Sequence, residues 1–257
     1  MAEKTRAFLV AAAQDARAAE RLGLPCVCLY YRIGETGTLQ RAQAALTGRG
    51  GLLGMFEAPG LALCQPEKLA RDIQAECTRR SFSGVVLDFF PAEDGLPNLE
   101  RLCAALLRLQ IPLWIPEELA ERVGVGCMII APAAVSGGSF RELLEALVHR
   151  YGRENLCLDL VRCRSDFPMP AHDADGTPLS AEAFQSLQDA YHPQSFFSPQ
   201  LCCKYFTYRE PGGSAHFVLF DDLHTAAQKL NTIREAGIGN VFLLYSEWGG
   251  EAKTLLQ

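Results

Sequence analysis

Four acidic side chains lie at or just after the ends of short apolar runs, where they could do acid–base chemistry. Asp88 lies inside the run VVLDFF, between Val86 and Phe90. Three further carboxylates follow other runs: Glu57, Glu93 and Glu117. A carboxyl group positioned at the end of a strand can donate or accept a proton in general acid–base catalysis. The competing interpretation is that Asp88 is structural, satisfied by Arg162, Tyr31 or a backbone amide, and that the glutamates are solvated loop residues.

Aromatic rings near predicted strand ends are the second feature with chemical potential, because the C–H faces of a sugar stack on such rings. The predicted ligand-binding residues are Tyr31, Phe90, Trp114, Arg162, Tyr245 and Trp248. Trp248, in YSEWGG after the last apolar run, is expected to be an exposed platform. The alternative is that these rings pack in the core or at its rim.

Eight apolar runs predict the strands that must position these residues. They are Arg6–Val10, Pro25–Tyr31, Gly51–Glu57, Gly84–Phe90, Pro112–Ile115, Cys127–Pro132, Asn155–Arg162 and Asn240–Ser246. Amphipathic helical patterns separate most of them, which predicts a single α/β domain over residues 1–257. A (β/α)8 barrel is the favoured fold class, and a doubly wound open sheet is its competitor.

Local signals refine this picture at three places. Ser139 with Glu142 predicts a capping box, and Asp222 predicts the N-cap of a later helix. The segment Ser165–Phe220 is much longer than a usual connection between strands seven and eight. It is predicted to form a small α+β insertion on the barrel rim, with a helix near Ser180–Tyr191 and a hairpin.

Composition excludes several classes of partner. The net charge is −6 and no basic stripe follows any predicted helix, so neither nucleic acid nor a membrane surface is an expected partner. No apolar run has transmembrane length and the first residues are a weak secretory signal, so the chain is expected to be cytoplasmic. The ten cysteines lack C-x-x-C spacing and are predicted to be reduced thiols that bind no metal. No cofactor is predicted.

Five segments together resemble the family 18 glycoside hydrolases, particularly the branch that cleaves spore-cortex peptidoglycan. They are SFSGVVLDFF, LSAEAFQSL, SPQLCCKYFTY, HFVLFDD and DDLHTAAQKLNTIREAGIGNVFLLYSEWG. The resemblance follows element order along nearly the whole chain and is specific mainly from Leu156 onward. It implies a (β/α)8 barrel, an N-acetylglucosamine-containing glycan as partner and an association with sporulation.

The resemblance also implies which residues should do the chemistry, and here the chain departs from the family. The family motif D-G-x-D-x-D-x-E falls on Ser83, Val86, Asp88 and Phe90. Phe90 therefore occupies the position of the glutamic acid that protonates the leaving oxygen. The residues that hold the acetamido group and floor the sugar site are replaced by Ala131, Pro132 and Leu244.

Two hypotheses follow from these departures. The first is a catalytically degenerate barrel, a pseudoenzyme that binds such a glycan or a protein partner. The second is an active glycosidase on peptidoglycan or chitin-type glycans, in which Glu57, Glu93 or Glu117 has taken over as the acid.

Overall fold

The computed structural model describes residues 5–42, 50–123, 126–135, 138–170 and 176–256. In chain order its strands are β1 (Arg6–Ala12), β2 (Cys26–Ile33), β3 (Leu39–Arg41), β4 (Leu52–Glu57), β5 (Val85–Leu87), β6 (Leu113–Pro116), β7 (Met128–Pro132), β8 (Leu156–Asp159), β9 (Arg164–Met169), β10 (Thr177–Pro178), β11 (Phe196–Ser198), β12 (Cys203–Arg209), β13 (Ala215–Phe220) and β14 (Asn240–Leu244). Its α-helices are α1 (Ala16–Arg21), α2 (Pro66–Arg80), α3 (Leu96–Arg108), α4 (Ala120–Val123), α5 (Phe140–Tyr151), α6 (Ala181–Tyr191), α7 (Leu223–Glu235), α8 (Tyr245–Trp248) and α9 (Glu251–Leu256).

Eight parallel strands close into a barrel, which confirms the predicted fold class. Their order is β1-β14-β8-β7-β6-β5-β4-β2, and β2 pairs with β1 to complete the ring. This closing pair excludes the open sheet, which would leave β1 and β2 as unpaired edges. The short strand β3 adds to β2 in the antiparallel direction.

Two apolar layers hold the barrel together. The interior is filled by side chains that alternate along each strand, including Val10, Leu52, Val86, Trp114 and Phe242. The opposite faces of the same strands pack against the helices in a larger core. This two-sided burial explains why the strands read as nearly continuous apolar runs.

The two predicted helix caps have different outcomes. The prediction at Asp222 is confirmed: its side chain accepts from the Thr225 amide, and the Thr225 hydroxyl accepts from the Asp222 amide. The prediction at Ser139 is wrong in its chemistry. Ser139 does precede α5, but its side chain makes no capping hydrogen bond.

The five strands between Arg164 and Phe220 form a second, antiparallel sheet with the order β10-β9-β13-β12-β11. Helix α6 covers one face of it, where Phe184 packs against Phe206 and Phe220 with ring centroids 6.0 and 5.0 Å away. Ser180 caps this helix by accepting from the Ala183 amide. The sheet is therefore built on its own small apolar cluster, beside the barrel core.

Two further features of the described residues concern membranes and thiols. No helix in these ranges is long and apolar enough to cross a bilayer. All ten cysteines are free, and burial raises the pKa of the Cys77 and Cys127 thiols to about 11. A thiol with a raised pKa is a poor nucleophile at neutral pH.

Candidate functional site

The carboxyl ends of the barrel strands bring two aspartates to the same mouth. Val86 and Cys157 lie in the barrel interior, and Asp88 and Asp159 each follow two residues later. Alternation along a strand therefore directs both carboxyl groups inward at the top of the barrel. Counted around the barrel, Asp88 follows the fourth strand, β5, and Asp159 ends the seventh, β8.

The environment of Asp159 favours its protonated form. Its side chain is largely buried at the end of β8, and this desolvation raises its pKa to about 7, with smaller contributions from the charges of Asp88 and Glu247. A carboxyl group with a pKa near 7 is present in both protonation states in neutral solution. This is the property that acid–base catalysis and charge-sensitive binding both need.

Asp88 faces the solvent of the mouth, yet the surrounding barrel wall desolvates its carboxyl enough to raise its pKa. Its backbone amide donates to the Met55 carbonyl at 2.8 Å, which extends the pairing of β5 with β4 by one residue. Among the described residues, neither of the partners expected for its carboxyl, Arg162 or Tyr31, contacts it. Each has a different partner.

Tyr31 lies on the outer side of the barrel and not at the mouth. A register irregularity in β2 near this residue turns its ring toward α2, where it is fully buried and its hydroxyl donates to Glu76 at 2.7 Å. Arg162 lies beside the last helices. Its Nη1 is 2.6 Å from Glu251 Oε2, and its guanidinium lies 4.8 Å from the centroid of the Trp248 ring.

A cleft of about 510 Å³ opens beside Asp88, between the loops that follow β4 and β5. Two exposed phenylalanines line it: Phe90, with 65% of its surface exposed, and Phe56, with 39%. Exposed apolar rings beside a carboxylate provide a stacking surface and a hydrogen-bond acceptor in one place. This combination suits a ligand with both C–H faces and polar groups.

The three alternative acids have separate locations. Glu57 lines the cleft but forms an ion pair of 2.7 Å with Arg32. Glu93 is exposed on the loop after β5. Glu117 accepts a hydrogen bond of 3.1 Å from Tyr151 of α5, so it lies on the outer face of the barrel. Only Glu57 shares the cleft with Asp88.

The remaining predicted rings are less exposed than a sugar platform requires. Trp114 lies in the barrel interior with 8% of its surface exposed, and Tyr245 is half-buried. The expectation of an exposed Trp248 is wrong: its ring is 2% exposed and its Nε1 donates to the Leu160 carbonyl at 2.8 Å. Helix α8 turns this ring under the chain that follows β8, where Arg162 covers it.

Asp159 is the mouth residue that sequence reasoning missed. It lies in the run LCLDLV, which was interpreted as part of one buried strand ending at Arg162. Its carboxyl group was therefore not considered as a candidate for the site. The alternation of side chains along a strand could have identified it: Asp159 is two residues after Cys157, so the two side chains point to the same face of the strand. In the described ranges, no group of three or more histidine, cysteine or acidic side chains is arranged to hold a metal ion.

Comparison with solved structures relates this barrel to known proteins. No family model matches the sequence, and no curated protein matches it. The spore cortex-lytic enzyme SleL of Bacillus cereus superposes with a TM-score of 0.69 at 13% identity, over 100% of this chain and 74% of that one. A chitinase from Chromobacterium violaceum superposes with a TM-score of 0.65 at 15% identity, over 97% and 99%.

The fold is that of the family 18 glycoside hydrolases. A family 18 chitinase from Cycas revoluta shares it, with a TM-score of 0.65 at 12% identity over 98% of both chains, and was solved as a mutant in complex with (GlcNAc)4. Identities this low establish a common barrel and nothing finer.

The structure shows where the four residues that depart from the family's pattern lie and how exposed each of them is. Phe90 projects from the loop after β5 into the cleft. Ala131 is fully buried on the outer side of β7, and Pro132 is exposed at the end of that strand. Leu244 is half-buried against the interior cluster. None of these side chains has a hydrogen-bonding group.

Proposed function

We propose that this chain is a glycan-binding barrel that holds an N-acetylglucosamine-containing glycan at its mouth and hydrolyses it poorly or not at all. The observation that carries the proposal is the exposed ring of Phe90 in the cleft beside Asp88. By resemblance, this residue replaces the acid that protonates the leaving oxygen. The barrel therefore keeps an open cleft and a stacking ring while the proton donor is absent from its usual position.

Further support comes from the chemistry that the neighbouring positions lack. Substrate-assisted hydrolysis requires the acetamido oxygen to be held close to the anomeric carbon. Ala131, Pro132 and Leu244 offer neither hydrogen bonds nor an aromatic floor for that purpose. General acid catalysis alone contributes about 100- to 10,000-fold, and positioning contributes a comparable factor. A site without the general acid and without this positioning is better suited to binding a glycan than to hydrolysing it.

A glycosidase with a relocated acid is the second candidate, and Asp159 is the observation that favours it. Its pKa of about 7 suits a proton donor, whereas the carboxylate of Glu57 is held in an ion pair with Arg32. This candidate predicts hydrolysis that Asp159→Asn abolishes. A third possibility, a protein partner on the same barrel, predicts no glycan binding.

Calorimetric titration with chitin and peptidoglycan fragments, run beside a hydrolysis assay, tests the proposal. We expect binding without turnover above background. We expect Phe90→Ala to weaken binding about tenfold, because the aromatic ring on which a sugar can stack is lost. Phe196→Ala, which removes a similarly exposed ring from the second sheet, is the matched control and should leave affinity unchanged. Absence of any glycan binding, or efficient turnover, would overturn the proposal.

A further inference from the structure

The mouth of the barrel carries negative charge that the described residues do not compensate. Three of the neighbouring acidic side chains have cationic partners: Glu57 with Arg32, Glu247 with Arg164 and Glu251 with Arg162. Asp88 and Asp159 have none in the described ranges. The like charge of Asp88 acts on Asp159, and both carboxyl groups lie where desolvation already penalises an anion.

We infer that the sugar residue bound at the mouth carries a free amino group, so that its ammonium lies between the carboxylates of Asp88 and Asp159. This inference rests on the proposed glycan-binding function and narrows its ligand to a de-N-acetylated, glucosamine-containing glycan. An ammonium donates three hydrogen bonds and brings the positive charge that the two aspartates lack.

An acetamido group would find a poorer environment at the same level of the barrel. Its carbonyl oxygen needs a donor, but Pro132, which pairs in register with Asp159, has neither a side-chain donor nor a backbone N–H. Leu244 on the other side is apolar. The carboxyl groups of Asp88 and Asp159, in contrast, accept hydrogen bonds from an amine when they are ionised.

The electrostatics of Asp159 give this ligand a recognisable signature. The groups whose charges reach it are Asp88 on β5 and Glu247 on α8, and burial is the largest influence on its pKa. A bound ammonium stabilises the ionised form of Asp159, so a ligand whose amine is already protonated displaces the proton that Asp159 holds. A partly buried pairing of this kind weakens with added salt less than an exposed ion pair does.

Phe90 and Phe56 should allow the site to distinguish an amino sugar from a cation that has no sugar ring. Their exposed rings line the cleft beside Asp88 and can stack on the neighbouring sugar units. A lysine oligomer brings the same charge without these C–H faces. It should therefore bind more weakly than a glucosamine oligomer of equal charge.

Calorimetry with three probes of equal length tests the inference: the glucosamine tetramer, the N-acetylglucosamine tetramer and tetralysine. We expect the glucosamine tetramer to bind at least about tenfold more tightly than either of the others. Titration at about pH 6, where the amine and Asp159 both largely carry their protons, in two buffers of different ionisation enthalpy should show proton release on binding.

Matched variants assign the preference to the two aspartates. Asp88→Asn and Asp159→Asn should each weaken the glucosamine tetramer about tenfold and change the N-acetylglucosamine tetramer by less than about twofold. Asp72→Asn, at an exposed acid on α2 outside the cleft, should leave both affinities unchanged. If a variant fails to fold, the three-probe comparison on the unmodified chain still decides.

The outcomes separate the two proposals. Equal or tighter binding of the N-acetylglucosamine tetramer overturns the amino-sugar inference and leaves the proposed function standing. Equal binding of tetralysine also overturns the inference, because charge alone would then explain the site. If no sugar probe binds, the proposed function fails and the inference fails with it.

Discussion

The hydroxyl of Tyr31 donates a hydrogen bond of 2.7 Å to Glu76, which joins β2 to α2 on the outer face of the barrel. Both residues are buried, and Arg79 and Arg80 also pair with the same carboxylate. Burial raises the pKa of Glu76, but the bond from Tyr31 and the arginine charges outweigh it, so the pKa is lowered overall. Tyr31 of β2 therefore donates to an ionised carboxylate on α2.

We predict that Tyr31→Phe lowers the free energy of unfolding by about 1–3 kcal/mol, because a buried carboxylate loses a donor. Urea denaturation measures this change. Tyr151→Phe is the matched control, since its hydroxyl bonds to the half-buried Glu117 at 3.1 Å and should cost less. Glycan affinity should not change in either variant. Equal losses in the two variants would contradict the importance given to burial here.

Two helix starts that look alike in sequence should respond differently to mutation. Asp222→Ala removes a side chain that accepts from the first turn of α7, and we expect a loss of about 1 kcal/mol. Asp222→Asn keeps the cap and loses only the charge opposite Lys204, so its loss should be smaller. Ser139→Ala removes no capping bond and should be nearly neutral. A large loss from Ser139→Ala would show that the serine does cap α5.

Sequence patterns predicted the barrel because its strands are buried on both faces and its helices on one. The runs at Leu52, Val86 and Val241 are short and nearly continuously apolar, which favours buried strands, and the number of such runs favoured a barrel over an open sheet. Strand ends were less predictable. The run around Asp88 was read as a strand through to Phe90, but β5 ends at Leu87 and its last backbone hydrogen bond to β4 is made by the Asp88 amide.

The site was less predictable than the fold, for two physical reasons. A side chain's role at the mouth depends on the phase of its strand, and an aspartate inside an apolar run such as Asp159 is hidden unless that phase is followed. The burial of an aromatic near a chain turn depends on tertiary packing. Trp248 was expected to be exposed because it follows the last predicted strand, yet the short helix α8 buries its ring and brings its Nε1 to the Leu160 carbonyl.

The carboxyl of Asp159 should make stability fall as the pH rises. Burial, with the charges of Asp88 and Glu247, raises its pKa from the usual 3.8 to about 7 in the folded chain. The folded state therefore binds the proton more tightly than the unfolded state. Its contribution is full below about pH 4 and is lost as the pH rises through about 7.

Asp159→Asn removes this dependence. Because one pKa unit corresponds to about 1.4 kcal/mol, the variant should gain up to about 4 kcal/mol over the unmodified chain at about pH 8, and little at about pH 4. Urea denaturation across this range measures the difference. Asp94→Asn, at an exposed acid, serves as the control. Parallel stability curves for Asp159→Asn and the unmodified chain would show that the carboxyl is not desolvated.

Restoring the missing acid alone should not restore hydrolysis, so we expect Phe90→Glu to show little or no turnover of chitin oligomers or peptidoglycan. The new carboxyl would stand two residues from Asp88, and like charge would raise its pKa and keep it protonated, which is the form a general acid needs. The proton would then be present, but Ala131 and Pro132 still could not hold an acetamido oxygen near the anomeric carbon. Positioning and charge stabilisation each contribute several kcal/mol to lowering such a barrier, and neither would be recovered.

A reducing-sugar assay on Phe90→Glu, Phe90→Gln and the unmodified chain measures this turnover. Turnover by Phe90→Glu far above that of Phe90→Gln would show that the loss of the acid was the single defect of the site.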